Sequence, residues 1–261
     1  MAFDELKARM AKAWGDGDWQ LVARELAPMH EHLVRALAPR PGERWLDVAT
    51  GTGATAVLAA QAGADVTAQD LSPGMIERAR AVAADRALEI RFDVGDAENL
   101  PYDDASFDIV ASAVGAILAP NQEATAAELA RVCRPKGRLG LTAWRPGVGY
   151  FRLMRRFQPP PEPGVGDRED WGREDVVERL LGAAFDLRYE EGDNAFVGKT
   201  GEELWERQMN GAGTVKRLYE SFDDERRREL RDAAISYFES ERSGDEIRAP
   251  GPYLLILGTR R

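Results

Sequence analysis

The segment from Arg44 to Gly53 constrains the fold of this chain more than any other part of the sequence. The strand-like stretch Arg-Trp-Leu-Asp-Val-Ala, four of whose six residues are apolar, is followed by two closely spaced glycines, and an alanine-rich helical pattern follows at 54–62. Gly51 and Gly53 have no Cβ, so the backbone can turn sharply and a ligand can lie against it, facing the amides of the next helix. A strand, a glycine turn and a helix in this order predict a site for a nucleoside-containing cofactor.

Strand-like and helix-like patterns alternate along the chain up to Trp144. The predicted strands are Arg44 to Val48, Val66 to Gln69, Glu89 to Asp93, Phe107 to Ser112 and Arg138 to Trp144. Helical patterns lie between them at 54–62, 73–85 and 122–133, and Ser72 is predicted to cap the second of these helices, with Pro73 as its first residue. This alternation is typical of a doubly wound, mostly parallel α/β sheet of the Rossmann-like type.

The segments around this core predict helical caps and a lid. Residues 3–38 have helical spacing that Pro28 interrupts, which predicts two helices meeting there. Residues 145–172 hold many prolines and glycines, which predicts a mobile lid without regular structure. We therefore divide the chain into a helical cap (1–40), a cofactor-binding core (41–145), a lid loop and helix (146–182), a core strand region (183–200), a helical lid segment (201–250) and a final core strand (251–261).

Charge and composition disfavour several classes of partner. The chain has 35 Lys and Arg against 45 Asp and Glu, a net charge of −10. This balance disfavours nucleic acid and anionic membrane surfaces as main partners. No signal core or membrane-length apolar run is present, which predicts a cytoplasmic protein. Cys133 is the single cysteine and no metal motif occurs, so we expect neither an internal disulfide nor a metal.

The glycine turn alone is ambiguous, because Gly51 to Ala56 also matches the dinucleotide pattern with alanine in the last place. Three further features bear on the choice. Asp47 lies four residues before the first glycine, where a carboxylate could meet a cationic amino group. Asp70 ends the following predicted strand, at the distance expected of an acceptor for ribose hydroxyls. Finally, Gly95-Asp-Ala-Glu-Asn-Leu-Pro101 precedes the strand pattern Ser106-Phe-Asp-Ile-Val110.

Together these features resemble the class I S-adenosylmethionine-dependent methyltransferases, and most closely the branch that contains ubiquinone and menaquinone biosynthesis enzymes. The resemblance runs from about Gly42 to Trp144 and includes Arg131-Val-Cys-Arg-Pro-Lys-Gly137, similar to the family's turn before strand five. It implies S-adenosylmethionine as the cofactor, with S-adenosylhomocysteine as product, and a small-molecule methyl acceptor.

The resemblance also implies which residues bind the cofactor. The family motif that lies under the methionine part of the cofactor is matched by Asp47, Ala49, Gly51 and Gly53. The acid that accepts hydrogen bonds from both ribose hydroxyls is matched by Asp70, and the neighbours of the adenine ring by Leu71 and Met75. The pair at the adenine edge is matched by Asp96 and Ala97, and the positions near the methyl group and the acceptor by Ser112 and Val114. Ala49 departs from the pattern, because many relatives have glycine there, and it slightly crowds the turn.

Methyl transfer is an in-line displacement for which the sulfonium already supplies the activation, so a base is needed only if the acceptor must lose a proton early. His30 is the candidate base, since it follows Met29 one position from the apolar stripe of its helix, whereas His32 is expected to point further toward solvent. A structural role for both histidines is the alternative. Two other functions stay open: a nicotinamide-dependent reductase, and a cofactor-binding protein of the same fold that has lost catalysis.

Overall fold

The structure is a computed structural model that describes residues 3–15, 17–211 and 213–261. The helices of the described residues are α1 (Asp4–Trp14), α2 (Trp19–Glu25), α3 (Ala27–Leu37), α4 (Ala54–Gln61), α5 (Pro73–Ala84), α6 (Gln122–Val132), α7 (Gly149–Arg155), α8 (Glu174–Leu181), α9 (Gly201–Gly211), α10 (Gly213–Glu220) and α11 (Asp224–Ser240). The strands are β1 (Arg44–Val48), β2 (Asp65–Asp70), β3 (Arg91–Val94), β4 (Phe107–Ala113), β5 (Cys133–Trp144), β6 (Phe185–Asp193), β7 (Phe196–Gly198), β8 (Arg242–Ser243), β9 (Glu246–Ala249) and β10 (Pro252–Arg260).

The main sheet has the strand order β3-β2-β1-β4-β5-β10-β6. The pairs from β3 to β5 are parallel, and β10 is antiparallel to both β5 and β6. The predicted doubly wound, mostly parallel sheet is thus confirmed. Because the strand order reverses between β1 and β4, the carboxyl ends of these two strands flank the crevice where sheets of this type bind ligands.

Helices cover both faces of the sheet because neighbouring side chains of β1 point to opposite sides. Trp45 packs with apolar side chains from α3, α4 and α5, while Leu46 packs with side chains from α6 and α8. Both residues are fully buried. Strand β1 therefore has adjacent apolar residues, Trp45 and Leu46, that are both buried, as expected for a parallel strand that is covered on both faces.

A third apolar cluster forms beyond Trp144. It joins Tyr150 of α7, Leu204 of α9 and Phe238 of α11 to Ile247 of β9. Strand β9 pairs with β7 and β8 in a separate three-stranded sheet. This unit stands beside the carboxyl end of β5 and supplies one wall of the pocket described below.

Two sequence predictions about the flanking segments are wrong in detail. Residues 3–38 form three helices rather than two: Gly15 ends α1, and Gly17 takes a left-handed φ of 97° before α2 begins. The other junction lies at Leu26, so Pro28 occupies the first turn of α3, where its missing amide proton leaves no hydrogen bond unmade. The segment 145–172 also contains regular structure, namely α7 and a 3-10 turn at Arg168–Gly172.

Three further predictions need correction. Ser72 occupies the cap position of α5, but its hydroxyl makes no capping hydrogen bond, and its Oγ is buried without a partner among the described residues. The third strand begins at Arg91, two residues later than predicted. The segment 201–250 contains β8 and β9 as well as helices. Within the described parts of the chain, no helix is both long and apolar enough to cross a membrane.

Candidate cofactor and acceptor site

A pocket of about 530 Å³ opens at the carboxyl ends of β1, β2 and β4, and its volume is typical of a small-molecule site. Ten of the twelve residues singled out in the sequence line it: His30, Asp47, Ala49, Gly51, Asp70, Leu71, Met75, Asp96, Ala97 and Val114. The fold therefore places in one pocket residues that are up to 84 positions apart in the sequence, from His30 to Val114.

The other two predicted residues, Gly53 and Ser112, lie behind the pocket wall. Gly53 has a φ of 85° and backs onto α5, where an added Cβ would stand 3.2 Å from the Ala79 Cβ. Ser112 donates a hydrogen bond from Oγ to the Val48 carbonyl at 2.6 Å and accepts one from the Ala116 amide at 2.9 Å. Both residues thus support the walls of the pocket instead of lining it.

The glycine turn leaves open space toward the pocket. Gly51 has a φ of 57°, and an added Cβ there would meet no atom within 4 Å. Ala49 also takes a positive φ of 54°, a conformation in which glycine is favoured over alanine. The crowding expected from Ala49 lies at Gly115, where an added Cβ would stand 2.7 Å from the Ala49 Cβ. A glycine at 115 therefore makes room for the alanine at 49.

Asp47 is a fully buried carboxylate at the end of β1. Its Oδ2 accepts a hydrogen bond from the Thr50 hydroxyl at 2.5 Å, and no basic side chain among the described residues pairs with it. Burial raises the pKa of Asp47 to about 7, despite the hydrogen bond from Thr50. A carboxylate in this state is suited to a cationic ligand, which would restore its charge.

Asp70 ends β2 and fixes the glycine turn. Its Oδ2 accepts a hydrogen bond from the Gly51 amide, and its Oδ1 accepts one from the Ser72 amide, both at 2.9 Å. Burial raises the pKa of Asp70 above its ordinary value, and the two amide hydrogen bonds oppose that shift. Asp70 therefore joins the turn after β1 to the start of α5 and still borders the pocket.

Asp96 is held by a residue that sequence reasoning missed. The buried Lys7 of α1 places Nζ 2.7 Å from Asp96 Oδ2 and 2.5 Å from Glu98 Oε2. Burial disfavours the ammonium charge, but the hydrogen bonds to these two acids keep the pKa of Lys7 above its ordinary value. Helix α1 is thus fastened across the pocket, where Met10 and Trp14 also line the wall.

His30 lies buried in the pocket wall, and burial lowers its pKa to about 4. Its imidazole makes no hydrogen bond with the described residues. The expectation that His32 points toward solvent is wrong. Its Nδ1 is 2.8 Å from the Tyr253 hydroxyl and its Nε2 3.2 Å from Glu190 Oε2, so it ties α3 to β10 and β6.

Four aromatic side chains at the end of β5 and beyond form what we term the aromatic wall: Trp144, Tyr150, Phe151 and Phe196. The Phe151 ring centre lies 5.2 Å from that of Trp144 and 6.4 Å from that of Phe196. Sequence reasoning did not single out these residues, since aromatic side chains are more often core than site. Trp14 and Trp19 also line the pocket, whereas Trp171 is fully buried in the core.

The pocket carries unused hydrogen-bonding capacity. Three of its side chains have a buried polar atom without a partner in the described structure, namely Gln69 Oε1, Tyr150 Oη and Asn194 Oδ1. Buried polar atoms are rarely left unpaired unless a ligand or water completes them. Together with the open space above Gly51 and the Asp47 carboxylate, which has no basic partner among the described residues, these atoms fit a polar, cationic, nucleoside-containing ligand.

No group of three or more His, Cys, Asp or Glu side chains that could hold a metal ion occurs among the described residues. Cys133 is buried on the core side of β5, away from the pocket, and burial raises the pKa of its thiol to about 12. The pocket lining itself contains carboxylates, the imidazole of His30, cationic side chains such as Arg168, and aromatic and amide groups.

Comparisons with known proteins agree with this geometry. A family model described as a methyltransferase domain matches residues 46–137. An uncharacterized protein of Mycobacterium tuberculosis is 40% identical over 182 residues, which cover 68% of this chain and 66% of the relative. A demethylmenaquinone methyltransferase of Clavibacter sepedonicus is 43% identical over 134 residues, 51% of this chain and 48% of that enzyme. The matched region thus spans slightly under two thirds of the first relative and about half of the second.

The fold also resembles a solved structure along most of its length. The YcgJ protein from Bacillus subtilis has a TM-score of 0.60 and 22% identity, with 89% of this chain and 97% of that chain covered. The similarity therefore extends beyond the matched domain to the flanking helices, at the level of fold.

Proposed function

We propose that this chain, which belongs to the class I S-adenosylmethionine-dependent methyltransferases, transfers a methyl group from S-adenosylmethionine to a small organic acceptor. The observation that carries the proposal is the set of three carboxylates, Asp47, Asp70 and Asp96, which line one pocket around an open glycine turn. A pocket of this size suits a cofactor together with a small second ligand.

The cofactor would be held by residues that the pocket already arranges. Asp47 would meet the cationic amino group, Asp70 the ribose hydroxyls and Asp96 the adenine amino group, with Leu71 and Met75 beside the ring. When bound, S-adenosylmethionine supplies an activated methyl group on its sulfonium sulfur. The chain itself has to bind, align the acceptor and exclude water, because the displacement needs an in-line approach more than it needs acid or base catalysis.

The walls around the cofactor residues suit this task. We propose that the helical cap at 1–40 and the segments 146–182 and 201–250 enclose the acceptor. Helix α1 is fastened by Lys7 on one side, and α7 presents Tyr150 and Phe151 on the other. Such apolar walls exclude water and strengthen the electrostatic interactions that remain inside.

His30 is our candidate for the base, should the acceptor lose a proton early. With its pKa lowered to about 4, its imidazole is neutral at physiological pH and has a free nitrogen lone pair. The same low pKa makes it a weak base, so it suits an acceptor whose own proton is acidic. With a known acceptor, turnover of His30→Ala at saturating cofactor should fall by roughly a hundredfold if His30 acts this way. A rate near that of the wild type would leave His30 structural.

Two measurements test the proposed function. Titration calorimetry should detect S-adenosylhomocysteine binding, and NADH should not bind. Radiolabel from the methyl group of S-adenosylmethionine should then appear in members of a broad panel of small acceptors. NADH binding in place of S-adenosylhomocysteine would favour the reductase. Cofactor binding without transfer to any member would favour a protein that has kept the pocket and lost catalysis. Cytoplasmic location stays a prediction.

A further inference from the structure

Arg168 lies in the pocket wall, outside the ion pairs that its acidic neighbours make. It begins the 3-10 turn Arg168–Gly172, and its side chain is half-buried against the pocket. Its acidic neighbours Asp167 and Glu169 both pair with Arg155, each at 2.8 Å. Among the described residues, no hydrogen bond or ion pair reaches the Arg168 guanidinium. Asp167 and Glu169 still attract this guanidinium electrostatically, but neither accepts a hydrogen bond from it. A partly buried guanidinium whose donors have no partner among the described residues is suited to bind a ligand.

The guanidinium also lies near an aromatic ring. Its central carbon lies 5.4 Å from the centre of the Phe151 ring, in the middle of the aromatic wall. A ring face attracts a cation only weakly and does not replace a carboxylate. Burial lowers the pKa of Arg168 below its ordinary value, but an arginine of this kind remains charged. The pocket therefore has a permanent positive charge beside an apolar surface.

The sheet order separates this charge from the residues proposed to bind the cofactor. Asp47 and Asp70 stand at the ends of β1 and β2, on one side of β4. Trp144 of the aromatic wall stands at the end of β5, on the other side of β4. Arg168 contacts this second side through Phe151, so it borders the space left for the acceptor.

The backbone that carries Arg168 is fixed to the connection after β4. The Gly166 amide donates a hydrogen bond to the Pro120 carbonyl at 2.9 Å, and Gln122 Nε2 donates one to the Asp167 carbonyl at 2.7 Å. Arg155 holds the Asp167 side chain from the other direction. The turn that carries the guanidinium is thus held by hydrogen bonds before a ligand binds. Less conformational entropy is then lost on binding.

We infer that Arg168 binds an anionic group of the methyl acceptor, with a carboxylate as the simplest fit, and that the aromatic wall takes a planar apolar body attached to it. This inference rests on the proposed function, because it assigns the second ligand of the same pocket. A guanidinium donates paired hydrogen bonds that match the two oxygens of a carboxylate, and flat rings pack well against aromatic faces.

The test uses 1-naphthoate and its neutral analogue 1-naphthamide as probes on the full chain, with and without S-adenosylhomocysteine. Titration calorimetry should show naphthoate binding to the wild type about tenfold or more tightly than naphthamide, because hydrogen bonds to charged groups are the stronger ones. Arg168→Gln should abolish this preference, and Arg168→Lys should keep part of it. Arg173→Gln is the matched control, since Arg173 is exposed, pairs with Asp175 and does not line the pocket.

Each outcome separates this inference from its rivals. Equal affinity of the wild type for both probes, binding of neither, or a preference that survives in Arg168→Gln would overturn it. Lost S-adenosylhomocysteine affinity in Arg168→Gln with the naphthoate preference intact would also overturn it, since Arg168 would then bind the carboxylate of the cofactor. If the wild type fails to bind S-adenosylhomocysteine, the proposed function fails, while a naphthoate preference that depends on Arg168 would still support the anion site.

Discussion

At the scale of single residues, Asp70 both fixes the glycine turn and borders the pocket, and a substitution tests its role in cofactor binding. Its carboxylate accepts the Gly51 and Ser72 amides and also borders the pocket. We expect Asp70→Ala to weaken S-adenosylhomocysteine binding by tenfold or more, because hydrogen bonds from ribose hydroxyls to a carboxylate contribute roughly 1.5–3 kcal/mol each. Calorimetry provides the affinity and circular dichroism checks the fold.

The control for this substitution lies on the same strand. Asp65 begins β2 at the opposite end of the sheet and is exposed, so Asp65→Ala should leave the affinity unchanged. Asp70→Asn keeps one oxygen that can accept a hydrogen bond and should fall between Asp70→Ala and the wild type. An Asp70→Ala protein that is folded and binds as tightly as the wild type would disprove the assignment of this residue.

Some site residues could be predicted from the sequence and others could not. Asp47, Gly51 and Asp70 could be predicted because each stands at a fixed place relative to a strand end. Lys7 and Arg168 could not, because their roles depend on contacts between distant parts of the chain, such as the 89 positions between Lys7 and Asp96. Ser112 was placed near the methyl group, yet its hydroxyl is used between two strands.

At the scale of elements, α1 should control how fast the cofactor leaves. Lys7 is the residue that fastens this helix to Asp96 and Glu98. Lys7→Met should increase hydrogen exchange in α1 and speed S-adenosylhomocysteine dissociation by about tenfold, since a loss of about 1.4 kcal/mol corresponds to that factor. Stopped-flow displacement measures the rate.

The same helix contains the matched control. Lys12 is exposed and lies five positions further along α1, so Lys12→Met removes an equal charge without touching the pocket. We expect it to behave like the wild type. Equal dissociation rates for Lys7→Met and Lys12→Met would mean that α1 does not restrain the cofactor.

The segment 145–172 provides a second prediction for an element. The stretch from Pro159 to Gly164 is exposed and does not line the pocket, while Phe151, Met154 and Arg168 do. Hydrogen exchange in this segment should be faster than in β1 without ligand, and bound S-adenosylhomocysteine should slow it. Helix α8 directly follows and does not line the pocket, so its exchange should not change. Exchange in 145–172 that ignores the ligand would argue against a lid.

At the scale of the whole molecule, the core between Arg44 and Trp144 could be predicted because strands and helices alternate there with clear periodicity. The antiparallel β10 was expected to rejoin the sheet, since its sequence is a continuous apolar run. The small sheet was missed because β7, β8 and β9 have only three, two and four residues, too few for a pattern. The aromatic wall was missed because it forms only when α7 and β7 pack together.

The stability of the whole molecule should depend on pH through two buried groups of the pocket, Asp47 and His30, whose effects have opposite signs. Burial raises the pKa of Asp47 to about 7 from 3.8, so its contribution to stability is full below pH 3.8 and is lost as pH rises through 7. Burial lowers the pKa of His30 to about 4 from 6.5, so its contribution is full above pH 6.5 and is lost as pH falls through 4. The two effects oppose each other across the shared range.

Single substitutions should separate these contributions. As pH rises from 4 to 7, the free energy of unfolding of Asp47→Asn should increase relative to that of the wild type, by up to about 4 kcal/mol, because one pKa unit corresponds to about 1.4 kcal/mol. As pH rises from 4 to 6.5, the free energy of unfolding of His30→Gln should instead decrease relative to that of the wild type, by up to about 3 kcal/mol. Urea unfolding at half-unit pH steps measures both, and subtracting the wild-type curve cancels the titrating groups that do not interact with the substituted residue. Difference curves that stay flat would show that both groups exchange protons as freely in the folded chain as in the unfolded one, and the pocket would then be wetter than its geometry indicates.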